Sequence, residues 1–218
     1  MDTRHCEKLP KVLTFSFTAN NAQNESKPVK LIAAACNNMG IGLNGYLPWR
    51  LPNEFKYLLD KITTVTQPGK KNLIVWGRSS FETFDEKLLP LRNCIIVVLS
   101  RTLRSLPNHV HYICKNEEEA LQLASTPPLN EEIESIWSLG GVESYRTLMQ
   151  HPWCNQIYFT KIMADFKCDT FFPDFDREVF KIVEGYPGVP AEIQEENGIK
   201  YVFQLYQRDQ TNEINQGY

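Results

Sequence analysis

Apolar residues fall along this chain in two kinds of run, and their alternation sets the expected architecture. Residues 31–36, 72–76, 94–99, 110–114, 133–139 and 156–162 are short and densely apolar, which is how strands buried on both faces read. Between them come stretches with helical spacing or capping signals: 52–62, a short one at 81–84, one opened by Asn116 and running to about residue 124, and 143–150. Residues 179–184 and 199–207 are extended runs with no helix between them, so they read as an antiparallel pair closing one edge of a sheet. The prediction is an α/β fold in one domain: a central, mostly parallel twisted sheet of about eight strands, antiparallel at its C-terminal edge, with about four flanking helices.

One position breaks its own pattern. With Pro52 in the first turn, Phe55, Leu58, Leu59 and Ile62 form an apolar stripe at i, i+3, i+4 and i+7. Glu54 stands one residue before that stripe, on the edge of the face to be buried, where a carboxylate is costly unless it is paired. A plain alternative is that it complements the positive end of the helix dipole. The preceding loop argues for more, because Gly40, Gly42 and Gly45 followed by Leu47-Pro48-Trp49 bring large apolar groups beside the acid, as a lid over a reacting site would.

Candidate anion sites lie at strand ends. Gly77-Arg78-Ser79-Ser80 offers backbone N–H groups, hydroxyls and a guanidinium together, and Gly140-Gly141 lets backbone approach a ligand closely. Neither is a GxGxxG fingerprint, and each taken alone reads more often as an ordinary turn than as a cofactor site. Both lie beyond the carboxyl ends of expected parallel strands, as does Ser100-Arg101. Arg78, Ser100, Arg101 and Lys115 could gather round one further phosphate, which would favour NADPH over NADH; for Lys115 a solvated loop end is the plain alternative.

Composition narrows the class. A chain of 218 residues with 42% hydrophobic and 22% charged positions suits one globular domain, and a net charge of −3 gives no sign of a nucleic-acid binder. Its six cysteines show no CxxC spacing and read as reduced, mostly buried thiols of a cytoplasmic protein. Four scattered histidines make no metal pattern beyond the alternation of His109 and His111, which on a strand would share a face, so no metal is expected. No apolar run reaches the roughly 20 residues of a membrane span. Residues 1–28 read as an extension with a strand-like stretch at 12–18, residues 29–208 as the domain, and 209–218 as a polar tail.

The ordered motifs NMGIGLNGYLPW, PNEF, GRSSFE, VVLSR, LGG and DTFFP resemble dihydrofolate reductase of the animal type over residues 29–208. The resemblance implies an enzyme that reduces dihydrofolate to tetrahydrofolate with NADPH, in one-carbon and thymidylate metabolism, binding antifolate inhibitors and acting as a monomer without membrane or obligatory nucleic acid. It implies that Glu54 binds the pterin and assists proton delivery, Trp49 supports an ordered water, Leu47 caps the nicotinamide, and Thr160 hydrogen-bonds the acid from behind. Arg78, Ser79 and Ser80 would hold phosphates, Ser100 and Arg101 the adenosine 2′-phosphate, with Ala34, Ile41, Gly45, Leu99, Lys115, Gly140, Gly141, Val142 and Glu143 also against the cofactor. Ala34, Phe55, Leu58, Phe84 and Leu91 would wall the folate slot, joined by Ile32, Leu139 and Tyr145.

Three departures stand out. Cys94 occupies the place of an arginine that clamps the glutamate tail of folate, and Arg92, if the strand begins there, would share its face and take over that role. Leu58 stands where an aromatic is common, and Val142-Glu143 follow the glycine pair in a way that bears on cofactor affinity. The competing readings are the related-fold reductase of riboflavin synthesis, which has no need of a pterin-pairing acid on the first helix, and a noncatalytic folate- or messenger-RNA-binding protein suggested by Cys94. Nothing long enough for a fused thymidylate synthase follows Gln207.

Overall fold

The computed structural model describes residues 26–209, so the strand-like stretch at 12–18 and the tail beyond 209 lie outside the described residues. In chain order the strands are β1 (Val29–Ala35), β2 (Gly40–Gly42), β3 (Lys71–Gly77), β4 (Cys94–Leu99), β5 (Tyr112–Cys114), β6 (Ile133–Ser138), β7 (Cys154–Ile162), β8 (Thr170–Phe171), β9 (Phe180–Val183), β10 (Gln194–Glu196) and β11 (Ile199–Arg208). The helices are α1 (Pro52–Thr63), α2 (Arg78–Glu82), α3 (Glu117–Ser125), α4 (Leu129–Glu132) and α5 (Val142–Gln150), with a 3-10 turn at Glu86–Leu88.

The main sheet runs β10-β11-β7-β1-β6-β3-β4-β5, and β9 pairs with the far end of β11, so among the described residues the sheet is eight strands across and nine in number. From β7 to β5 every pairing is parallel, and β11 runs antiparallel to β7, β9 and β10. This is the expected architecture, with the antiparallel pair at the expected edge.

The apolar runs work as they do because the pleat splits each between two cores. Leu31, Ala33 and Ala35, with Leu73, Val75, Ile95 and Val97, point to the face covered by α3 and α5. Ile32, Ile74, Trp76, Ile96 and Val98 point to the opposite face, where Ile62 of α1 and Phe81 of α2 meet them. A strand with apolar residues on both faces needs helices on both sides, and the chain supplies them.

Several details differ from expectation. The short helix starts at Arg78, directly on the glycine turn, rather than at Phe81. Strand β5 begins at Tyr112, because His109 adopts a left-handed φ of 63° in the turn before it. His109 and His111 therefore do not share a strand face; His111 Nδ1 instead accepts the Ile96 N–H at 3.0 Å, and no metal-ligating group exists among the described residues. The capping residues before α3 act as expected, with Asn116 accepting from the Glu119 N–H, although Glu119 reaches back to the Lys115 N–H at 2.7 Å, one residue further than a reciprocal box. Among the described residues no helix is long and apolar enough to cross a membrane.

The small two-stranded sheet of β2 and β8 was not anticipated. It holds the glycine-rich loop against the segment after β7, with the Asp169 N–H donating to Gly42 O and the Phe172 N–H to Met39 O.

Candidate active site

A cleft of about 1140 Å³ opens beyond the carboxyl ends of β1, β3, β4, β5 and β6, where ligands of open α/β sheets bind. Glu54 lines it from the first turn of α1 and is only 4% exposed, although Phe55, Leu58 and Leu59 beside it are half-buried. Phe55 and Leu58 are only half-buried because, like Glu54, both line the cleft. Pro52 starts the helix and needs no N–H partner there, while the Phe55 N–H donates to Leu51 O.

Burial in apolar surroundings raises the Glu54 carboxyl from its ordinary 4.5 to about 7. The Thr160 hydroxyl, donating to Oε1 at 2.9 Å from β7 behind the acid, pulls in the opposite direction, and the Glu196 carboxylate adds a smaller upward push. The acid is thus poised near neutrality, neither fully ionised nor locked neutral. Trp49, 8% exposed, packs on Phe166 with ring centroids 5.4 Å apart, and its buried indole Nε1–H has no hydrogen-bond partner among the described residues. A buried donor without a partner marks a place for a solvent molecule or ligand atom.

The opposite end of the cleft is basic. Arg78, Arg101 and Lys115 line it with Ser79, Ser80 and Ser100. Arg78 Nη1 donates to Thr102 Oγ1 at 3.0 Å, Arg78 Nε lies 3.6 Å from Glu82 Oε1, and Lys115 Nζ lies 3.8 Å from Glu119 Oε1. Arg101 is exposed and has no carboxylate partner among the described residues. The Ser100 hydroxyl oxygen accepts from the Thr102 and Leu103 N–H groups and so holds the turn that presents Arg101. Between the two ends the glycines allow close approach: the Gly77 N–H donates to Gly140 O at 2.6 Å, and a Cβ on Gly77 would lie 2.8 Å from Gly141 N. The Gly140–Gly141 peptide is cis.

Most of the expected residues meet here. Ile32, Ala34, Ile41, Gly45, Leu47, Phe84, Leu99, Leu139, Gly140, Gly141, Val142, Glu143 and Tyr145 all line the cleft with those already named. Leu47 is half exposed at its mouth, and the Tyr145 hydroxyl is tied to Ile32 O at 2.8 Å. Thr160 and Trp49 stand behind the wall rather than on it. Leu91, Arg92 and Cys94 also lie off the wall. Strand β4 starts at Cys94, and Asn93 has a left-handed φ of 56°, so the alternation that would give Arg92 and Cys94 one face does not extend back to Arg92. The Cys94 thiol contacts Ile62 O at the end of α1 at 3.4 Å, and burial pushes its pKa up to about 12. Trp76, Tyr46, Thr83, Asp85, Thr102 and Thr170 line the cleft without having been expected. Thr102 and Thr170 had a signal, since they adjoin Ser100-Arg101 and stand within DTFFP.

Comparison with known proteins agrees with this geometry. The family model described as dihydrofolate reductase matches residues 28–208. The chain is 43% identical over 183 residues to the dihydrofolate reductase of Rattus norvegicus, covering 84% of this chain and 98% of that one. It is 42% identical to that of Gallus gallus, covering 81% and 94%. Among solved structures, Schistosoma mansoni dihydrofolate reductase superposes with a TM-score of 0.75 at 29% identity, covering 85% of this chain and all of that one. With a family match over residues 28–208 and relatives above 40% identical along nearly their whole length, the chain belongs to the dihydrofolate reductase family.

Proposed function

We propose that this chain reduces 7,8-dihydrofolate to 5,6,7,8-tetrahydrofolate with NADPH, adding a hydride at C6 of the pterin and a proton at N5. The observation that carries the reading is a carboxyl poised near pH 7 on the wall of a cleft whose other end gathers arginine, lysine and serine side chains. A reduced nicotinamide supplies the hydride when bound.

The chain's residues fit such a cofactor by their donor set. Arg78, Ser79 and Ser80 would take its bridging phosphates and Ser100 with Arg101 the 2′-phosphate, while the tight Gly77–Gly140 contact leaves backbone free of side chains beside the cleft. Glu54 would accept two N–H bonds from the aminopyrimidine edge of the pterin, which fixes the ring plane against Phe55. Near pH 7 it can also hold the proton destined for N5, with a solvent molecule on the Trp49 Nε1–H as the relay. Leu47 and Tyr46, exposed at the mouth, would close over the rings and keep bulk water out.

A steady-state assay of dihydrofolate-dependent nicotinamide oxidation with NADPH and with NADH tests the reading. Arg101→Ala is expected to lower kcat/KM for NADPH by about 10- to 100-fold, the worth of one charge-assisted contact, and to leave NADH almost unchanged. Equal losses with both cofactors would remove Arg101 from the 2′-phosphate site. Absence of turnover in the parent chain would remove the enzymatic reading altogether.

A further inference from the structure

Cys36 and Cys168 are 132 positions apart in sequence, yet their sulfurs lie 3.9 Å from each other. Cys36 follows β1 at the root of the glycine-rich loop and is buried; Cys168 precedes β8 and is partly exposed. The three other described cysteines, Cys94, Cys114 and Cys154, are buried free thiols.

The chain makes room for this contact. The Asp169 N–H bond to Gly42 O, with the two-stranded ladder of β2 and β8, carries Cys168 over Gly40, where a Cβ would come within 2.4 Å of its sulfur. Any larger residue at position 40 would push Cys168 away from its present seat. The Cys36 thiol is also held, donating to Asn38 Oδ1 at 3.0 Å. A disulfide needs the sulfurs about 2.05 Å apart, so a shift of roughly 2 Å in the surface segment bearing Cys168 closes the bond.

We propose that Cys36 and Cys168 form a thiol–disulfide exchange site for low-molecular-weight disulfides of the glutathione type, whose product is a cross-link that clamps the cleft loop to the segment before β8. The accessible Cys168 thiolate attacks the small disulfide, forming a mixed disulfide and releasing one thiolate. Cys36 then gives up its proton and attacks the Cys168 sulfur, forming the protein disulfide and releasing the second thiolate. The protein loses two protons and two electrons, and the small disulfide takes them up to become two thiols. Desolvation and the contact with Cys36 hold the Cys168 thiol above its usual value, so the first step is slow at neutral pH.

The consequence for turnover rests on the reading of Leu47 and Tyr46 as a moving lid. Gly40 and Gly42 lie in the same loop a few residues before that lid, and fixing its root to Cys168 limits how far it can swing. Oxidation is therefore expected to slow turnover, and reduction to restore it.

The test incubates the full chain with oxidised glutathione, blocks remaining thiols with an alkylating reagent and maps the peptides by mass. A Cys36–Cys168 cross-link is expected, with Cys94, Cys114 and Cys154 still alkylated after unfolding; turnover with dihydrofolate and NADPH should fall several-fold and return on adding dithiothreitol. Cys168→Ser should show neither change, and Cys36→Ser should stop at a mixed disulfide on Cys168. Full alkylation of both thiols, or a mixed disulfide alone in the parent chain, would overturn the exchange site. A cross-link with unchanged turnover would overturn its effect on the lid, and because the mass map needs no activity, it stands apart from failure of the catalytic reading.

Discussion

Glu54 is more deeply buried than the apolar side chains next to it, and its protonation follows from that inversion. Desolvation raises its pKa, and the Thr160 hydroxyl limits the rise by donating to the charged form. Thr160→Val removes that donor without changing the side chain's size, so the Glu54 pKa should climb further. A hydrogen bond to a buried carboxylate is worth about 1.5 kcal/mol, and the alkaline limb of the kcat/KM profile should move up by about one pH unit. An unmoved limb would show that Thr160 holds the fold and not the acid. Glu54 was legible in the sequence because it sits off an otherwise regular stripe, a local signal. Its bond to Thr160 spans 106 positions, and no local pattern encodes it; the family resemblance did. The same local reasoning misplaced Arg92, because a single left-handed residue, Asn93, resets the alternation of the strand behind it.

At the scale of elements, the site depends on strand ends brought close enough for glycine alone. Gly77→Ala would place a methyl 2.8 Å from Gly141 N, against backbone that cannot swing aside as a flexible side chain would. Overpacking of this kind costs typically about 1–3 kcal/mol, and a parallel loss of NADPH affinity is expected because the displaced backbone borders the phosphate end. A fluorescence titration with NADPH alongside a urea melt checks both, and unchanged cofactor affinity would contradict the placement. The regular elements were readable because each apolar run is long enough to show its period. The β2–β8 ladder was not, since Gly40, Ile41 and Gly42 offer one apolar side chain in three and pair with a two-residue strand far along the chain. The true start of α2 was hidden for a related reason: Arg78-Ser79-Ser80 carries polar residues that suit a turn as well as a first helical turn.

Across the whole molecule the acid leaves a trace in stability. Folded Glu54 titrates near 7 and the unfolded chain near 4.5, so between these values the folded state keeps a proton that the unfolded state has lost. Its contribution is fully present below pH 4.5 and is lost as pH rises through 7, by about 3 kcal/mol. His111 and His151, whose pKa values partial desolvation lowers, act in the opposite sense and add stability as pH rises. The difference between the parent chain and Glu54→Gln therefore isolates the acid: in urea melts from pH 5 to 8, without ligand, the variant should become the more stable of the two as pH rises. Parallel curves would mean that Glu54 is solvated and its pKa ordinary.

The same substitution, followed by kinetics, reaches the central claim. With dihydrofolate and NADPH, the kcat/KM of the parent should fall as pH rises through about 7, the value at which Glu54 loses its proton. Glu54→Gln should bind NADPH as the parent does, since it lies at the other end of the cleft from the basic residues, and should lose most turnover at neutral pH, about 100-fold or more. Turnover of the variant close to that of the parent, with the alkaline limb still in place, would contradict the assignment of Glu54 as the proton-holding group of the site.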